Sequence, residues 1–264
     1  MEKTIFALAS IDVKKPDGSI ITIWFDGNGK VTRDNGEFDH PIANAFSLVQ
    51  VVDCPFATAT CKSICYVHKL EVKEQEVHDK YVLNSGVFRT VLADKVLTAL
   101  VADAFVEYIS ANCSGGFRWH VSGDITSPQH AQFIREVCLK TPKVSHWIYT
   151  RSFEYIEPLV EIPNLVLNLS VDKDNWSEAI VYHHAYNLRM CYLTVDGEVP
   201  ADLPEGSVLF PNHELRGRDL EHPRTADWWQ GITTKQRQMV CPADFFGQSE
   251  RIRCGPCKKC LKKT

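Results

Sequence analysis

The sequence predicts an α/β protein: a partial (β/α)6, TIM-like barrel with an N-terminal β-hairpin and a C-terminal cysteine-rich segment. Three observations carry this. Short apolar runs alternate with helical periodicity from Phe46 to Phe210, the pattern of a parallel sheet with crossover helices. Each run stops abruptly at a small polar or charged residue, namely Cys54, Asp124, Arg151, Asp172, Asp196 and His213. The first 40 residues differ, with two β-branched runs separated by a turn. The expected divisions are a hairpin cap over 1–40, the α/β region over 41–215 and a metal-binding segment over 216–264, integrated as one domain. A doubly wound open sheet is the alternative.

The elements follow in order. Thr4 to Val13 is apolar and extended, Pro16-Asp17-Gly18 is a turn, and Ile20 to Phe25 alternates as a strand before Asp26-Gly27-Asn28-Gly29 turns again. Ser47 to Val52 reads as a buried strand running into Cys54. Lys69 to Leu83 and Val87 to Ile109 carry helical periodicity, with Ser85-Gly86 between them. Phe117 to Val121 is a strand, followed by a helix over Ser127 to Leu139 with Ser127 as N-cap. Trp147 to Tyr149 is a strand and Phe153 to Val160 a short helix. Leu165 to Leu169 is a strand and Trp176 to Tyr186 a helix. Met190 to Leu193 and Val208 to Phe210 complete the set of strands. In parallel α/β folds the strand C-terminal ends share one edge, and that edge carries the site.

Composition bounds the function class. With 44% hydrophobic and 23% charged residues over 264 positions, the chain has an ordinary soluble core. A net charge of −4 argues against bulk binding of polyanions. The tail is an exception, carrying Arg251, Arg253, Lys258, Lys259, Lys262 and Lys263, a charge that suits phosphate or offsets bound thiolates. Met1-Glu2-Lys3-Thr4 begins no apolar signal region, and no apolar run approaches the roughly 18 residues of a membrane helix. The expectation is a cytoplasmic protein with no membrane partner.

In a reducing compartment clustered cysteines read as metal ligands or redox groups. Seven of the ten cysteines form two clusters: Cys54, Cys61 and Cys65, then Cys241, Cys254, Cys257 and Cys260. Thiolates select zinc, copper(I) or iron–sulfur centres. Three thiols in Cys-x-x-Cys-x-x-Cys, with Cys241 before them, match a ferredoxin-type run better than the two separated pairs usual for structural zinc. The expected cofactor is therefore one [4Fe–4S] cluster or two, with zinc as the alternative. The first cluster has three thiols. Its open position suits a substrate or cofactor on the fourth iron, or His68 completing a zinc site. The two cysteine groups also suit a single shared site. Cys113, Cys138 and Cys191 stand alone in apolar patterns and read as buried structural thiols.

A three-cysteine loop after the first strand of a partial barrel resembles the radical S-adenosylmethionine enzymes. That resemblance implies that three cysteines hold a cluster whose fourth iron binds S-adenosylmethionine. It places Ser122-Gly123-Asp124 at the amino-group contact and Ser170, Asp172 and Asp196 near the ribose and carboxylate. It also implies an auxiliary cluster in the C-terminal segment. The spacing departs from that family: Cys54-x6-Cys61-x3-Cys65 replaces Cys-x3-Cys-x2-Cys, and the standard third position falls on His68. A closer resemblance covers residues 45 to 260. Cys54-Pro55 through Cys61 with Cys65-Tyr66, Arg118 to Asp124, Tyr149 to Ser152 and the terminal cysteines resemble a phage and plasmid family known as gene product eighty-eight. It implies a phage or mobile-element origin, hence the host cytoplasm, and cluster binding, with no settled reaction.

Other groups complete the candidates. If the strand at 117–121 extends further, His120, Ser122 and Asp124 face one side and His120 with Asp124 forms an acid/base pair. Arg151 suits a carboxylate or phosphate, or a neighbouring aspartate. Trp228 and Trp229, near Arg216, Arg218 and Arg224, either stack on bases or pack in the core. Two readings follow. One is an iron–sulfur enzyme with Asp124, His120 and Arg151 as catalytic groups, acting on a small molecule or nucleotide and fed by a reductant such as flavodoxin or ferredoxin. The other is a zinc- or cluster-stabilised module that binds nucleic acid without catalysis.

Overall fold

A computed structural model describes residues 8–27, 42–212, 215, 223–246, 257 and 259–261. The fold is mixed α/β, with eight strands among these residues, and the chain divides into two compact units. Unit 1 comprises residues 1–56 and 65–166, and unit 2 residues 57–64 and 167–264. The expected strand–helix succession runs from residue 45 to residue 211, with the expected hairpin before it. In neither unit does the sheet close on itself among the described residues.

Unit 1 opens with strands β1 (Leu8–Lys14) and β2 (Ile20–Asp26), an antiparallel hairpin in register from Leu8↔Asp26 to Lys14↔Ile20. Its turn works because Asp17 accepts from the Ser19 amide at 2.9 Å and Gly18 takes φ 85°, a conformation cheap for glycine. β2 then pairs antiparallel with β3 (Ala45–Phe46), β3 runs parallel to β4 (Phe117–Trp119), and β4 parallel to β5 (His146–Thr150). The core is aromatic. Phe25 stacks on Tyr108 at 4.0 Å between centroids, while Phe46, Phe88, Phe105, Phe117, Trp119 and Phe133 meet mostly edge to face. Asn84 ties the hairpin to this core: it accepts from the Trp24 amide and donates to the carbonyls of Trp24 and Ser47.

Three expectations about the elements of this unit are corrected. The strand expected at Ser47 to Val52 stops at Phe46. Side chains take the backbone groups that a ladder would use: Ser47 Oγ accepts from the Val121 and Ser122 amides, and Ser85 Oγ accepts from the Val49 amide. Val51 then turns the chain at φ 65°. The helix break expected at Ser85-Gly86 is absent. Helices α2 (Tyr66–Lys73), α3 (Gln75–Ala93) and α4 (Lys95–Asn112) break instead at Glu74 and Asp94. Ser85 returns its hydroxyl to the Tyr81 carbonyl at 2.8 Å, a bond compatible with the helix. Asp94 caps α4, accepting from the Val96 and Leu97 amides. Helix α5 (Pro128–Lys140) starts as expected, with Ser127 accepting from the His130 amide and Pro128 in the first turn. Two short 3-10 turns, Phe153–Tyr155 and Glu157–Leu159, replace the short helix expected there.

Unit 2 holds β6 (Leu165–Val171, entering the unit at Leu167), β7 (Arg189–Thr194) and β8 (Val208–Pro211), all parallel. Helix α1 (Ala59–Ser63) belongs to this unit, as does α6 (Trp176–Tyr186), which ends at Asn187 in the left-handed conformation. The C-terminal helices are α7 (Asp227–Gly231), α8 (Thr234–Met239) and α9 (Pro242–Phe245). Trp229 stacks on Phe245 at 5.2 Å, and Trp228 donates to the Gly197 carbonyl at 3.1 Å. Both indoles are thus committed to packing within the unit. No described helix is long and apolar enough to cross a membrane.

Candidate metal centre and strand-end networks

The ends of β3, β4 and β5 in unit 1 are polar, as expected, and they are bonded to one another. Asp124 is buried, and its carboxylate accepts from Thr150 Oγ1 at 2.6 Å, the Arg151 amide at 2.8 Å and the Ile125 amide at 2.7 Å. Burial pushes its pKa up, against the pull of these donors. Its own amide donates to the Asp53 carbonyl, and Asp53 pairs with Arg89 at 2.8 Å. Ser122 Oγ donates to Glu71 at 3.2 Å, and Glu71 also pairs with His78 at 2.7 Å. Arg151 is buried and interacts electrostatically with Asp124. Asp124 thus lies beside Arg151 while Ser122 binds Glu71, so each is engaged with the chain itself.

Gly123 sits between Ser122 and Asp124 at φ 79°, and a Cβ added there would lie 2.7 Å from Leu48 Cβ. Both the left-handed backbone and the contact require glycine. Gly123→Ala is expected to cost about 2–5 kcal/mol, combining backbone strain and overpacking. A urea unfolding series checks this; a loss under about 1 kcal/mol would contradict the contact.

His120 is a correction. The strand ends at Trp119, and His120 takes φ 59°, so His120, Ser122 and Asp124 do not share a strand face. Its ring is buried against Phe46, Trp119 and His130, with the His130 ring 4.9 Å away. Among the described residues, neither His120 ring nitrogen has a hydrogen-bond partner. Burial, with Arg118 adding to it, lowers its pKa to about 3. A neutral, enclosed imidazole packs as an aromatic and does not pair with Asp124 as an acid/base couple.

In unit 2, Asp172 organises the loop that carries Cys61. Its Oδ2 accepts from Thr58 Oγ1 at 2.6 Å, and Thr58 in turn caps α1 by accepting from the Cys61 amide at 3.0 Å. Asp172 Oδ1 accepts from the Asp174 amide, and Asp174 accepts from the Thr60 amide at 2.8 Å. Asp196 pairs with Lys173 at 3.1 Å. Ser170 lies in β6 opposite Cys191, its carbonyl accepting from Asn175. Cys61 thus belongs to unit 2, while Cys54 and Cys65 belong to unit 1, Cys65 packing beside Val67, Val77 and Tyr81. His68 meets Gln50 at 3.2 Å. Of the groups expected to contact S-adenosylmethionine, Ser122, Asp124, Asp172 and Asp196 make side-chain bonds within their own units.

Of the C-terminal cysteines, Cys241, Cys257 and Cys260 are described, in unit 2. The Cys241 amide donates to the Leu209 carbonyl at 2.8 Å, which fixes α9 against β8. Asn168, on β6, donates to the Cys260 carbonyl at 3.2 Å. The Lys259 amine lies within electrostatic reach of Cys241, Cys260 and Cys257 and donates to the Gln238 carbonyl. Burial lowers its pKa, and the three cysteines oppose that shift. Cys254 and His213 lie outside the described residues, as do Arg216 and Arg218. A thiol-only donor set with a cation among it fits a thiolate-bound zinc ion or iron–sulfur cluster. Among the described residues no group of three or more His, Cys, Asp or Glu is already arranged as a metal cage.

One thiol read as structural sits in this group. Cys191, on β7, lies within electrostatic reach of Cys260 and Cys241. No sequence spacing signals it, because 69 positions separate Cys191 from Cys260.

Comparison with known proteins places the chain. The Gene product 88 family model matches residues 22–263, nearly the whole length. The chain belongs to that family. It is 30% identical over 192 residues to a Gene 88 protein of Mycobacterium phage D29, covering 68% of this chain and 77% of that protein. It is 33% identical over 142 residues to a Gene 88 protein of Mycobacterium phage L5, covering 51% of this chain and 59% of that protein. The phage resemblance of the Gene product 88 chain is thereby shown. The matches carry no sign of the radical S-adenosylmethionine enzymes. No solved structure matches the chain.

Proposed function

We propose that this Gene product 88 protein is an iron–sulfur protein of phage, with a [4Fe–4S] cluster held by the C-terminal thiols Cys241, Cys254, Cys257 and Cys260. The observation that supports it is the Lys259 amine lying within electrostatic reach of Cys241, Cys257 and Cys260. A cation among thiols offsets the charge that builds up when cysteines bind metal as thiolates. Zinc is the other occupant such a donor set accepts. When bound, a thiolate-held cubane passes single electrons at a potential tuned by nearby charge and hydrogen bonds. The residues of this chain contribute the tuning. Lys259 supplies positive charge, and Asn168 anchors the Cys260 backbone through its carbonyl. A low-potential carrier such as flavodoxin or ferredoxin is the class of partner that delivers such electrons.

Cys54, Cys61 and Cys65 carry a second cluster in the fuller form of this proposal, with a radical-SAM-like reaction at its open iron. The Asp172–Thr58 bond supports that form, because it fixes the helix that presents Cys61. S-adenosylmethionine itself gains less support. Asp124 and Asp172, its expected partners, already accept two or more hydrogen bonds from their own chain. Iron and labile sulfide measured in Cys61→Ala and Cys257→Ala separate the two sites. Two clusters predict that each variant loses about half of the bound iron. Cys61→Ala with iron at the wild-type level would overturn the second cluster, and Cys257→Ala at that level would overturn the first.

A further inference from the structure

We propose that Cys191 is a ligand of the C-terminal centre, joining Cys241 and Cys260 from a position on the sheet. This rests on the reading of that centre as a metal site and goes beyond it, because Cys191 lies outside the cysteine-rich segment. Three backbone relations bring the thiols together. Cys191 pairs in register with Val208, and the next residue of β8, Leu209, accepts from the Cys241 amide and bridges to Val240. On the other side of β7, Cys191 pairs with Ser170 of β6. Asn168, two residues earlier on β6, holds the Cys260 carbonyl. The strands therefore hold Cys241 from one side and Cys260 from the other, with Cys191 between them and within electrostatic reach of both.

The chemistry agrees with the placement. Cys191 is 3% exposed and Cys241 6%, so a centre built on them is shielded from water on the sheet side. Arg189 lies on the same strand face two residues before Cys191 and interacts electrostatically with it. Its guanidinium is fixed by bonds to the Gly206 carbonyl at 3.1 Å and Asn168 Oδ1 at 3.4 Å. Arg189 and Lys259 thus provide two cations beside the thiols. Cys138 makes the contrast in its surroundings: it is equally buried, but its interacting neighbour is Trp119 and not another cysteine. Four thiolates complete either a zinc tetrahedron or a cubane. With Cys191 supplying one, Cys241, Cys257 and Cys260, which share the Lys259 amine, supply the other three.

The test is metal content per chain, iron, labile sulfide and zinc together, on full-length protein purified anaerobically. Wild type, Cys191→Ser, Cys191→Ala, Cys260→Ser and Cys138→Ser are compared. Cys191→Ser, Cys191→Ala and Cys260→Ser are expected to lose the C-terminal metal and its visible absorption, while Cys138→Ser keeps both. Should the serine variant not fold, the alanine variant gives the same readout without a buried hydroxyl. Wild-type metal content and spectrum in the folded Cys191 variants, with loss in Cys260→Ser, would overturn Cys191 as a ligand and leave the centre standing. Wild-type content in Cys260→Ser as well would overturn the reading of the centre itself. A Cys191–Cys260 disulfide in freshly isolated protein, seen by mass spectrometry, would also overturn the proposal.

Discussion

Asp124→Ala is expected to destabilise the protein by about 3–5 kcal/mol, the range for breaking a buried polar network on one side. The substitution removes one carboxylate and leaves three buried donors, Thr150 Oγ1 and the amides of Arg151 and Ile125, without their acceptor. Asp124→Asn is expected to cost less, about 1–3 kcal/mol, because one oxygen remains while an amide group faces the Arg151 N–H. The order wild type, asparagine, alanine in urea unfolding midpoints checks the argument. Equal stability of all three would mean that the carboxylate is held for chemistry at the strand edge and contributes nothing to folding.

Acidification is the second large effect. His120 and His146 have pKa values lowered to about 3 by burial, and His130 is pushed well down by burial and by His120 beside it. All three are neutral in the folded protein near pH 6, while the unfolded chain protonates them around pH 6.5. Their contribution to stability is present above pH 6.5 and is lost as pH falls from there toward 3. Three imidazoles give a slope approaching about 4 kcal/mol per pH unit once the unfolded histidines are charged. Asp26 and Asp124 act in the opposite sense. Burial raises both, so the folded form holds their protons more tightly, and they add stability on the acid side. Below about pH 5.5, where the unfolded histidines are nearly all charged, even full opposition by two carboxyls leaves close to one histidine's worth, about 1.4 kcal/mol per unit. Unfolding free energy is expected to fall as the pH is lowered from about 5.5 to about 4.5. A flat profile would mean that these rings are charged or partnered in the folded state.

The secondary structure was legible where local chemistry decided it. Ser127 followed by Pro128 marks the start of α5, and Pro16-Asp17-Gly18 marks the hairpin turn, because caps and turns depend on a few adjacent residues. The strand expected at Ser47 to Val52 was not, because two serines distant in sequence from each other's contacts, Ser47 and Ser85, take the ladder's place. No periodicity records that. His120 failed for a backbone reason: its left-handed φ ends the strand that would have aimed it beside Asp124. The candidate site shows the same division. Asp124 and Arg151 were each legible as strand-end residues because both follow parallel strands, yet nothing in their spacing shows that neighbouring amides already fill the Asp124 carboxylate. The terminal cysteines announce themselves by spacing. Cys191 does not, since only the pairing of β6, β7 and β8 carries it to Cys260.

The central claim is that thiols of the C-terminal segment hold a metal centre. Iron, labile sulfide and zinc per chain in anaerobically purified protein, with the visible spectrum read before and after dithionite, tests it most directly. The account predicts about four irons with matching sulfide for the C-terminal cluster alone, or about eight if the first cysteine loop also carries one, and absorption that bleaches on reduction. Zinc at one per chain without visible absorption would keep the thiolate site and contradict the cluster. Protein with no bound metal and every cysteine free to titrate would contradict the account altogether.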